Sequence, residues 1–193
     1  MPENSRIRDA QPEDAELVSL LLVEAMGDLV PSFTSGANSS DQVALFKRFF
    51  TKKNNQYSYE NTVVYEDNGE ILGSANGYKG DLLKSLRTDF IKYLKDKFGF
   101  VFPDNSDETG PGEFYIDCLC VFNEFRNQGI GSSLINAMIK RAKSLNIDKI
   151  GLLVDISNTN ALKLYQNLGF EIVEKKFFIN DFYYHMQKEI TSL

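Results

Sequence analysis

The sequence predicts a mixed α/β protein in which strands and helices alternate along one domain. Residues 113–121 are apolar and rich in β-forming side chains, and a glycine turn and a helical pattern over 129–145 follow them. Residues 67–69, Asp-Asn-Gly, separate two further β-rich runs and are typical of a hairpin turn. Residues 81–98 carry apolar side chains at four-residue spacing, which predicts an amphipathic helix.

The N-terminal part predicts one short strand and two helices. The strand covers residues 7–9, and Pro12 suits the first turn of a helix that Pro31 ends. After a polar loop at 32–40, Asp41 is predicted to cap a second helix. The apolar positions expected on the first helix are Leu17, Leu20, Leu21 and Ala25.

The middle of the chain predicts two strands and then an insertion. Strands are expected at 62–66 and 70–76, on either side of the hairpin turn. Residues 80–112 contain the amphipathic helix and then a long acidic loop at 99–112, and loops of that length are often lids. We therefore expect residues 1–193 to form a single domain with an insertion at about 80–112.

The C-terminal part continues the alternation. Residues 149–155 predict a strand and residues 158–168 a short helix, capped by Ser157 or Asn158 and ended by a glycine. Two further β-rich stretches, at 171–178 and 182–190, predict a closing hairpin.

Composition excludes several classes of protein. The 193 residues carry a formal net charge of −6, whereas general nucleic-acid binding needs a basic surface. No apolar run approaches the length of a membrane helix, and residues 1–6 lack an apolar signal core, so a cytoplasmic location is expected. Cys118 and Cys120 with one histidine make neither a disulfide framework nor a four-ligand zinc site, so we expect no metal.

The turn from Arg126 to Ser133 carries the first functional signal. Gly129 and Gly131 lack a Cβ atom, so a ligand can approach the backbone closely. Unpaired N–H groups at the start of the following helix favour phosphate or pyrophosphate, and Arg126 adds a cation. The turn is neither a Walker A loop nor a dinucleotide fingerprint, because Leu134 stands where a third glycine would be. By itself it fits a phosphate site and a plain tight helix entry equally well.

A second stretch, residues 158–170, changes this balance. Considered without the glycine turn, this stretch indicates that Tyr165 is a side chain packed in the core and not a catalytic residue. Together, however, Arg-x-x-Gly-x-Gly and the later Asn-x-x-Ala-x-x-Leu-Tyr-x-x-x-Gly-Phe resemble the GNAT superfamily of CoA-dependent N-acyltransferases. The order of predicted elements resembles that family over nearly the whole chain except residues 80–112. The second motif matches at Asn158, Ala161, Leu164, Tyr165, Gly169 and Phe170.

The resemblance implies a twisted mixed sheet of about six to seven strands, with helices on both faces. Its fourth and fifth strands would splay apart, and acetyl-CoA would lie in the gap as co-substrate. The fourth strand would bond the pantetheine arm through its backbone, and one N–H there could polarise the thioester carbonyl. The residues expected to contact acetyl-CoA are Leu119, Cys120, Val121, Arg126, Asn127, Gln128, Gly129, Ile130, Gly131, Ser132, Asn158 and Tyr165.

Two side chains are candidates for catalysis. A neutral amine attacks a thioester directly and a thiolate leaves, so the reaction needs a proton acceptor and benefits from a donor. The resemblance places Tyr165 near the sulfur as the donor. Asp117 is the candidate base, and strand alternation puts it on one face with Tyr115, Leu119 and Val121. A structural partner for Asp117, such as a tyrosine or lysine, is an equal alternative.

Other candidates are weaker. Glu113 and Tyr115 are secondary candidates for the base, and a chain of water molecules could also remove the proton. A Cys118 nucleophile would depend on His185, far along the chain, so both cysteines are expected to be packed strand residues. His185 is expected to be a packed or surface residue, although its strand can line the acceptor cleft.

The sequence thus predicts an N-acetyltransferase that moves an acetyl group to a primary amine in a ternary complex. The alternatives are a longer acyl chain and a CoA-binding or regulatory domain without turnover. The expected partner is a small-molecule or peptide amine, and neither nucleic acid nor membrane. The resemblance allows residues 80–112 to shape the acceptor site or a homodimer contact, and their acidic loop could attract a cationic amine.

Overall fold

The computed structural model describes residues 5–104 and 106–190. Within them one seven-stranded sheet runs in the order β1-β2-β3-β4-β5-β7-β6. The strands are β1 (Ser5–Asp9), β2 (Thr62–Asp67), β3 (Glu70–Lys79), β4 (Phe114–Val121), β5 (Lys149–Asp155), β6 (Glu171–Phe178) and β7 (Asp181–Glu189). The helices are α1 (Ala15–Met26), α2 (Leu29–Phe33), α3 (Ser39–Phe50), α4 (Leu83–Phe98), α5 (Ile130–Ser144) and α6 (Thr159–Asn167).

The sheet is mixed, and its one parallel contact is short. Strands β4 and β5 pair in parallel only from Phe114 to Ile116, opposite Ile150 to Leu152. All the other neighbouring strands in the described sheet are antiparallel. Beyond Ile116 the two parallel strands separate, which confirms the expected splay and opens a gap at the centre of the sheet.

Helices cover both faces of the sheet, as predicted. One apolar cluster joins α1, α3 and α4, with Phe46 and Phe90 among its fully buried side chains. The other joins α5 and α6, with Leu134 and Tyr165 packed against the opposite face. Cys118 and Cys120 belong to the first cluster and Ile116 to the second, so β4 is sandwiched between the two.

The predicted details of the first two helices were partly wrong. Helix α1 ends at Gly27 (φ 48°), and Pro31 lies inside the short helix α2, where the first turn tolerates a residue without an N–H. The cap of α3 is Asn38, whose Oδ1 accepts the N–H of Asp41 at 2.9 Å, so Asp41 lies one turn inside. Leu17 and Leu20 are exposed, because the buried stripe of α1 is Val18, Leu21 and Leu22.

The described residues of the 80–112 segment, 80–104 and 106–112, pack against the rest of the protein. Helix α4 forms where the spacing predicted it and buries Phe90 and Leu94 in the first cluster, while Leu82 stays exposed. Arg87, also buried, faces the acidic loop and bonds the Ser106 carbonyl at 3.0 Å. In the described residues no helix is long and apolar enough to cross a membrane.

Candidate active site

The gap between β4 and β5 exposes one backbone edge of β4. The N–H of Phe122 donates to the Leu72 carbonyl at 3.0 Å, so Phe122 turns its polar groups toward β3. In an antiparallel pair the backbone N–H and C=O groups of successive residues point to alternate sides of the strand. Those of Leu119 and Val121 therefore point toward the gap. Cys120, paired with Ser74, turns its backbone to β3. Of the three residues predicted to line the gap, Leu119 and Val121 therefore turn their backbone N–H groups toward it, whereas Cys120 does not.

A tight turn leads from the end of β4 into α5. Asn127 (φ 61°) and Gly129 (φ 81°) both adopt the left-handed conformation, and Gly129 is the N-cap residue. The N–H of Ser133 makes the first helical bond, to the Gly129 carbonyl at 3.0 Å. The N–H groups of Ile130, Gly131 and Ser132 come before that bond, so they have no acceptor within the helix. This end of α5 therefore suits an anion.

Gly131 is not required by packing. A Cβ atom built there would lie 3.5 Å from Leu164 Cδ2, an ordinary contact. The turn itself needs only Gly129, whose positive φ is unfavourable for other residues. A glycine at 131 thus leaves room for something outside the chain to approach the backbone.

Arg126 lies beside this turn, but its guanidinium is already bound. Its Nε donates to the Val121 carbonyl at 3.0 Å, and it forms an ion pair with Glu24 of α1 at 2.5 Å. The side chain remains about half exposed. Arg126 therefore ties α1 to the end of β4 instead of projecting freely.

Helix α6 brings the two residues of the second motif to the gap. Asn158 caps α6, because its Oδ1 accepts the N–H of Ala161 at 3.1 Å. The side-chain NH₂ group of Asn158 is left for other partners. Tyr165 is buried, and its hydroxyl makes no hydrogen bond to any residue that the structure describes. Burial, and then the nearby Cys118 and Cys120, raise the pKa of Tyr165 to about 12, so the hydroxyl stays protonated as a donor.

Asp117 occupies a β-bulge in β4. Asn76 and Gly77 are consecutive in β3 but pair with Cys118 and Ile116, so Asp117 is the extra residue. The prediction from strict alternation was therefore wrong: Leu119 and Val121 pack with the α5 cluster on the opposite face. Asp117 Oδ2 accepts the Tyr78 hydroxyl at 2.6 Å and the Gln56 amide at 3.3 Å. Burial raises the pKa of Asp117 despite these bonds.

A second carboxyl, that of Glu108, is buried near the partly buried Asp117. It is held by Arg87 at 2.8 Å, and burial followed by the charge of Asp117 raises its pKa to about 8. From the sequence it was only one of several acidic residues in a loop. Its signal would have been a positively charged Arg87 on the otherwise apolar side of an amphipathic helix.

His185 and Glu113 form a separate buried cluster. The histidine Nε2 lies 3.0 Å from Glu113 Oε2, and its Nδ1 lies 3.2 Å from Glu174. Gln187 and Thr109 also donate to Glu113, at 2.7 and 2.5 Å. Burial alone would raise the pKa of Glu113, but the bonds from His185 and Thr109 bring it below the usual range. His185 is thus packed, and Glu113 is a poor base.

The cysteines are packed strand residues. Both are buried and free, and burial raises the pKa of each thiol, that of Cys120 to about 11. His185 is engaged by carboxylates and is not paired with Cys118. Over the described parts of the chain no three His, Cys, Asp or Glu side chains are arranged so that they could hold a metal ion.

Two surface grooves, of about 260 and 410 Å³, lie elsewhere on the protein. One runs between α3 and α4 beside Arg48 and Tyr93, and the other lies between α4 and the acidic loop beside Phe102. Neither is lined by any residue of the gap or of the glycine turn. The gap has backbone N–H groups that face it and an anion site at its end. It is therefore a better candidate for the active site than either groove.

Known proteins share this architecture. The model of the acetyltransferase (GNAT) family matches residues 23–170. A crystal structure described as an acetyltransferase has a TM-score of 0.78 at 30% identity, covering 96% of this chain and 100% of that chain. The PaiA N-acetyltransferase of Thermoplasma acidophilum, solved in complex with coenzyme A, shares the fold, with a TM-score of 0.58 at 14% identity over 96% of this chain and 99% of that chain.

Sequence likeness to curated proteins is more local. Human N-alpha-acetyltransferase 30 is 39% identical over 64 residues, which are 33% of this chain and 17% of the human protein. The chain therefore matches less than a fifth of that relative's length. Because the family model covers most of the chain and the likeness to a solved acetyltransferase is full-length, the chain belongs to the GNAT acetyltransferase family.

Proposed function

We propose that the protein transfers an acetyl group from acetyl-CoA to a primary amine by direct attack in a ternary complex. The observation that carries this proposal is the continuity of the gap and the turn. The backbone N–H groups of Leu119 and Val121 face the gap. The unpaired N–H groups that begin α5 follow directly at its end, where a pyrophosphate would be bound.

Each part of acetyl-CoA has a matching group in this arrangement. The N–H groups from Gln128 to Ser132 would hold the pyrophosphate, and the closeness of that contact accounts for the glycine at 131. Val121 would bond the pantetheine arm, and the Asn158 amide, free on its N–H side, would bond it from α6. Arg126 would flank the phosphates only if its ion pair with Glu24 rearranges. We therefore assign it a smaller share of the affinity.

The reaction needs three functions from the protein. The Leu119 N–H, which faces the gap, would stabilise the oxyanion that forms when the amine attacks the thioester carbonyl. Tyr165 would give its proton to the departing thiolate, since its raised pKa keeps it protonated. Asp117 would take the proton that the amine loses, and its raised pKa brings it closer to neutral pH than an ordinary aspartate.

The alternatives are less well supported. A domain that only binds CoA would not require a buried tyrosine without a hydrogen-bond partner in the described structure, placed beside β4. Nothing in the gap favours a longer acyl chain over acetyl. Cytoplasmic location and a homodimer stay predictions.

The proposal is tested by turnover. The full chain, incubated with acetyl-CoA and a panel of primary amines, should release free CoA in step with an acetylated amine identified by mass spectrometry. Release of CoA without an acetylated amine would indicate hydrolysis and contradict N-acetyl transfer. No release with any amine, although acetyl-CoA binds, would favour the non-catalytic alternative.

A further inference from the structure

A buried polar cluster lies on the face of β4 next to the gap. Its centre is Asp117, with Glu108 brought close by the acidic loop. Three tyrosines surround the two carboxyls, and the charges of both carboxyls act on each tyrosine. The tyrosines are Tyr57, Tyr78 and Tyr115, all at most 3% exposed.

The cluster is short of positive charge. Arg87 is its buried cation, and the guanidinium is shared between Glu108 and the partly exposed Asp107, with which it forms a close ion pair. Asp117 receives only neutral donors, from Tyr78, Gln56 and the Cys118 thiol. Buried carboxylates are stable only when paired or protonated, so one further cation would be strongly favoured here.

The cluster is also short of hydrogen-bond donors. Gln56 is 2% exposed and turns its amide toward Asp117, yet its Oε1 has no hydrogen-bond partner among the described residues. Asn76, 1% exposed, donates from its side-chain Nδ2 to the backbone carbonyl of Gln56. The Oδ1 of Asn76 also has no hydrogen-bond partner among the described residues. Unsatisfied buried acceptors are rare in folded proteins, and two in one place call for a donor from outside the chain.

A primary ammonium supplies both missing features. It carries one positive charge and three N–H donors, and it has no acceptor that would need a partner of its own. The cluster also adjoins the thioester end of the gap, because the Cys118 Sγ contacts Asp117 Oδ1 at 3.5 Å and Cys118 lies near Tyr165. A nitrogen bound beside Asp117 would thus face the acyl group.

We propose that Asp117 and Glu108, with the Gln56 amide oxygen, form the ammonium subsite of the acyl acceptor. The subsite takes a primary alkylammonium whose neighbouring carbon carries no carboxylate, since a further negative charge beside Asp117 and Glu108 would be repelled. A polyamine, a lysine side chain and a peptide N-terminus meet this condition, and a free α-amino acid does not. This inference rests on the proposed acetyl transfer.

Three amines of matched size or contrasting charge test the subsite. n-Butylamine is a cation near neutral pH, norvaline is the same chain with a carboxylate next to the amine, and aniline is neutral. With acetyl-CoA saturating, kcat/KM for n-butylamine should exceed that for norvaline at least roughly ten-fold. Equal values for the two, or acetylation of aniline but not of n-butylamine, would overturn the subsite.

Glu108→Gln tests the second carboxyl directly. Measured above pH 8, where Glu108 is ionised and n-butylamine is still a cation, it should raise KM for n-butylamine roughly ten-fold, as for loss of one charge-assisted hydrogen bond, and affect aniline far less. Asp107→Asn is the matched control, because Asp107 also pairs with Arg87 but lies outside the cluster, and it should leave both amines unchanged. A rise in KM that is equal for both amines, or equal in the two variants, contradicts the assignment.

Acetyl-CoA binding separates failure of the subsite from failure of the proposed function. Calorimetry should give the same affinity for the wild type and for Glu108→Gln, and thermal melting should show that the variant is folded. A wild-type protein that binds acetyl-CoA but fails the amine comparison refutes the subsite alone. A protein that does not bind acetyl-CoA refutes both.

Discussion

Replacement of Gly131 by alanine separates a role in ligand binding from a role in folding. A methyl group at 131 meets only Leu164 Cδ2, at an ordinary 3.5 Å, so the fold accepts it. Alanine also costs less conformational entropy in a helix than glycine does, by about 0.5–1 kcal/mol. The free energy of unfolding should therefore stay equal or rise, and Tm should rise by about 2–4 °C at most.

The same methyl group should weaken acetyl-CoA binding. It would keep the pyrophosphate away from the N–H groups of Ile130 and Gly131, which precede the first helical bond. A hydrogen bond to a charged group contributes about 1.5–3 kcal/mol. Loss of one such bond corresponds to an increase in Kd of about 10- to 150-fold.

Calorimetric titration of acetyl-CoA into the wild type and Gly131→Ala measures this change. Gly110→Ala is a suitable control, because a Cβ atom there has open space and the residue lies away from the turn. It should leave Kd unchanged. An unchanged Kd in Gly131→Ala, with the protein folded, would mean that phosphate does not lie on this turn.

Further predictions concern catalysis and the buried clusters. Tyr165→Phe should lower kcat at least about a hundred-fold and leave the Kd for acetyl-CoA unchanged; a loss confined to affinity would remove its role as proton donor. Burial raises the pKa of Asp117, so the acid limb of the kcat profile should lie above the ordinary range of an aspartate, and Asp117→Asn should flatten it; a persisting limb would assign the base elsewhere. The pKa of Glu113 is lowered in the folded state, so its contribution to stability is complete above the ordinary pKa of a glutamate and is lost as the pH falls through the lowered value. Urea unfolding at several acidic pH values should show that loss in the wild type and not in Glu113→Gln. Gly151→Ala should destabilise the protein by about 2 kcal/mol or more in the same assay, because its Cβ would lie 2.0 Å from Glu113 Oε2; equal stability would mean that this cluster rearranges freely.

Turns, helix caps and some strand bounds were predictable, because the types of a few neighbouring residues determine them. The turn at 67–69 forms with Asn68 and Gly69 both at positive φ, a conformation that these two residue types tolerate best. Strand β5 has the predicted bounds, 149–155, because its apolar run is flanked by polar turns. The glycine turn and the cap at Asn158 followed from backbone chemistry and from the family resemblance together.

Features that depend on distant contacts were not predictable in this way. The face of α1 was misplaced because Leu17, Leu20 and Leu21 are equally apolar, and only the position of the sheet selects which one is buried. The bulge at Asp117 has no residue signature and reversed the expected face of Leu119. The approach of Glu108 to Asp117 depends on the path of a loop.

The most direct test of the central claim locates acetyl-CoA on the protein. In amide spectra of the ¹⁵N-labelled chain, acetyl-CoA should shift most strongly the N–H signals of the gap and the turn. Those signals belong to Leu119, Val121, Ile130, Gly131 and Ser132. Shifts concentrated at the groove between α3 and α4, or no shifts at saturating acetyl-CoA, would contradict the account.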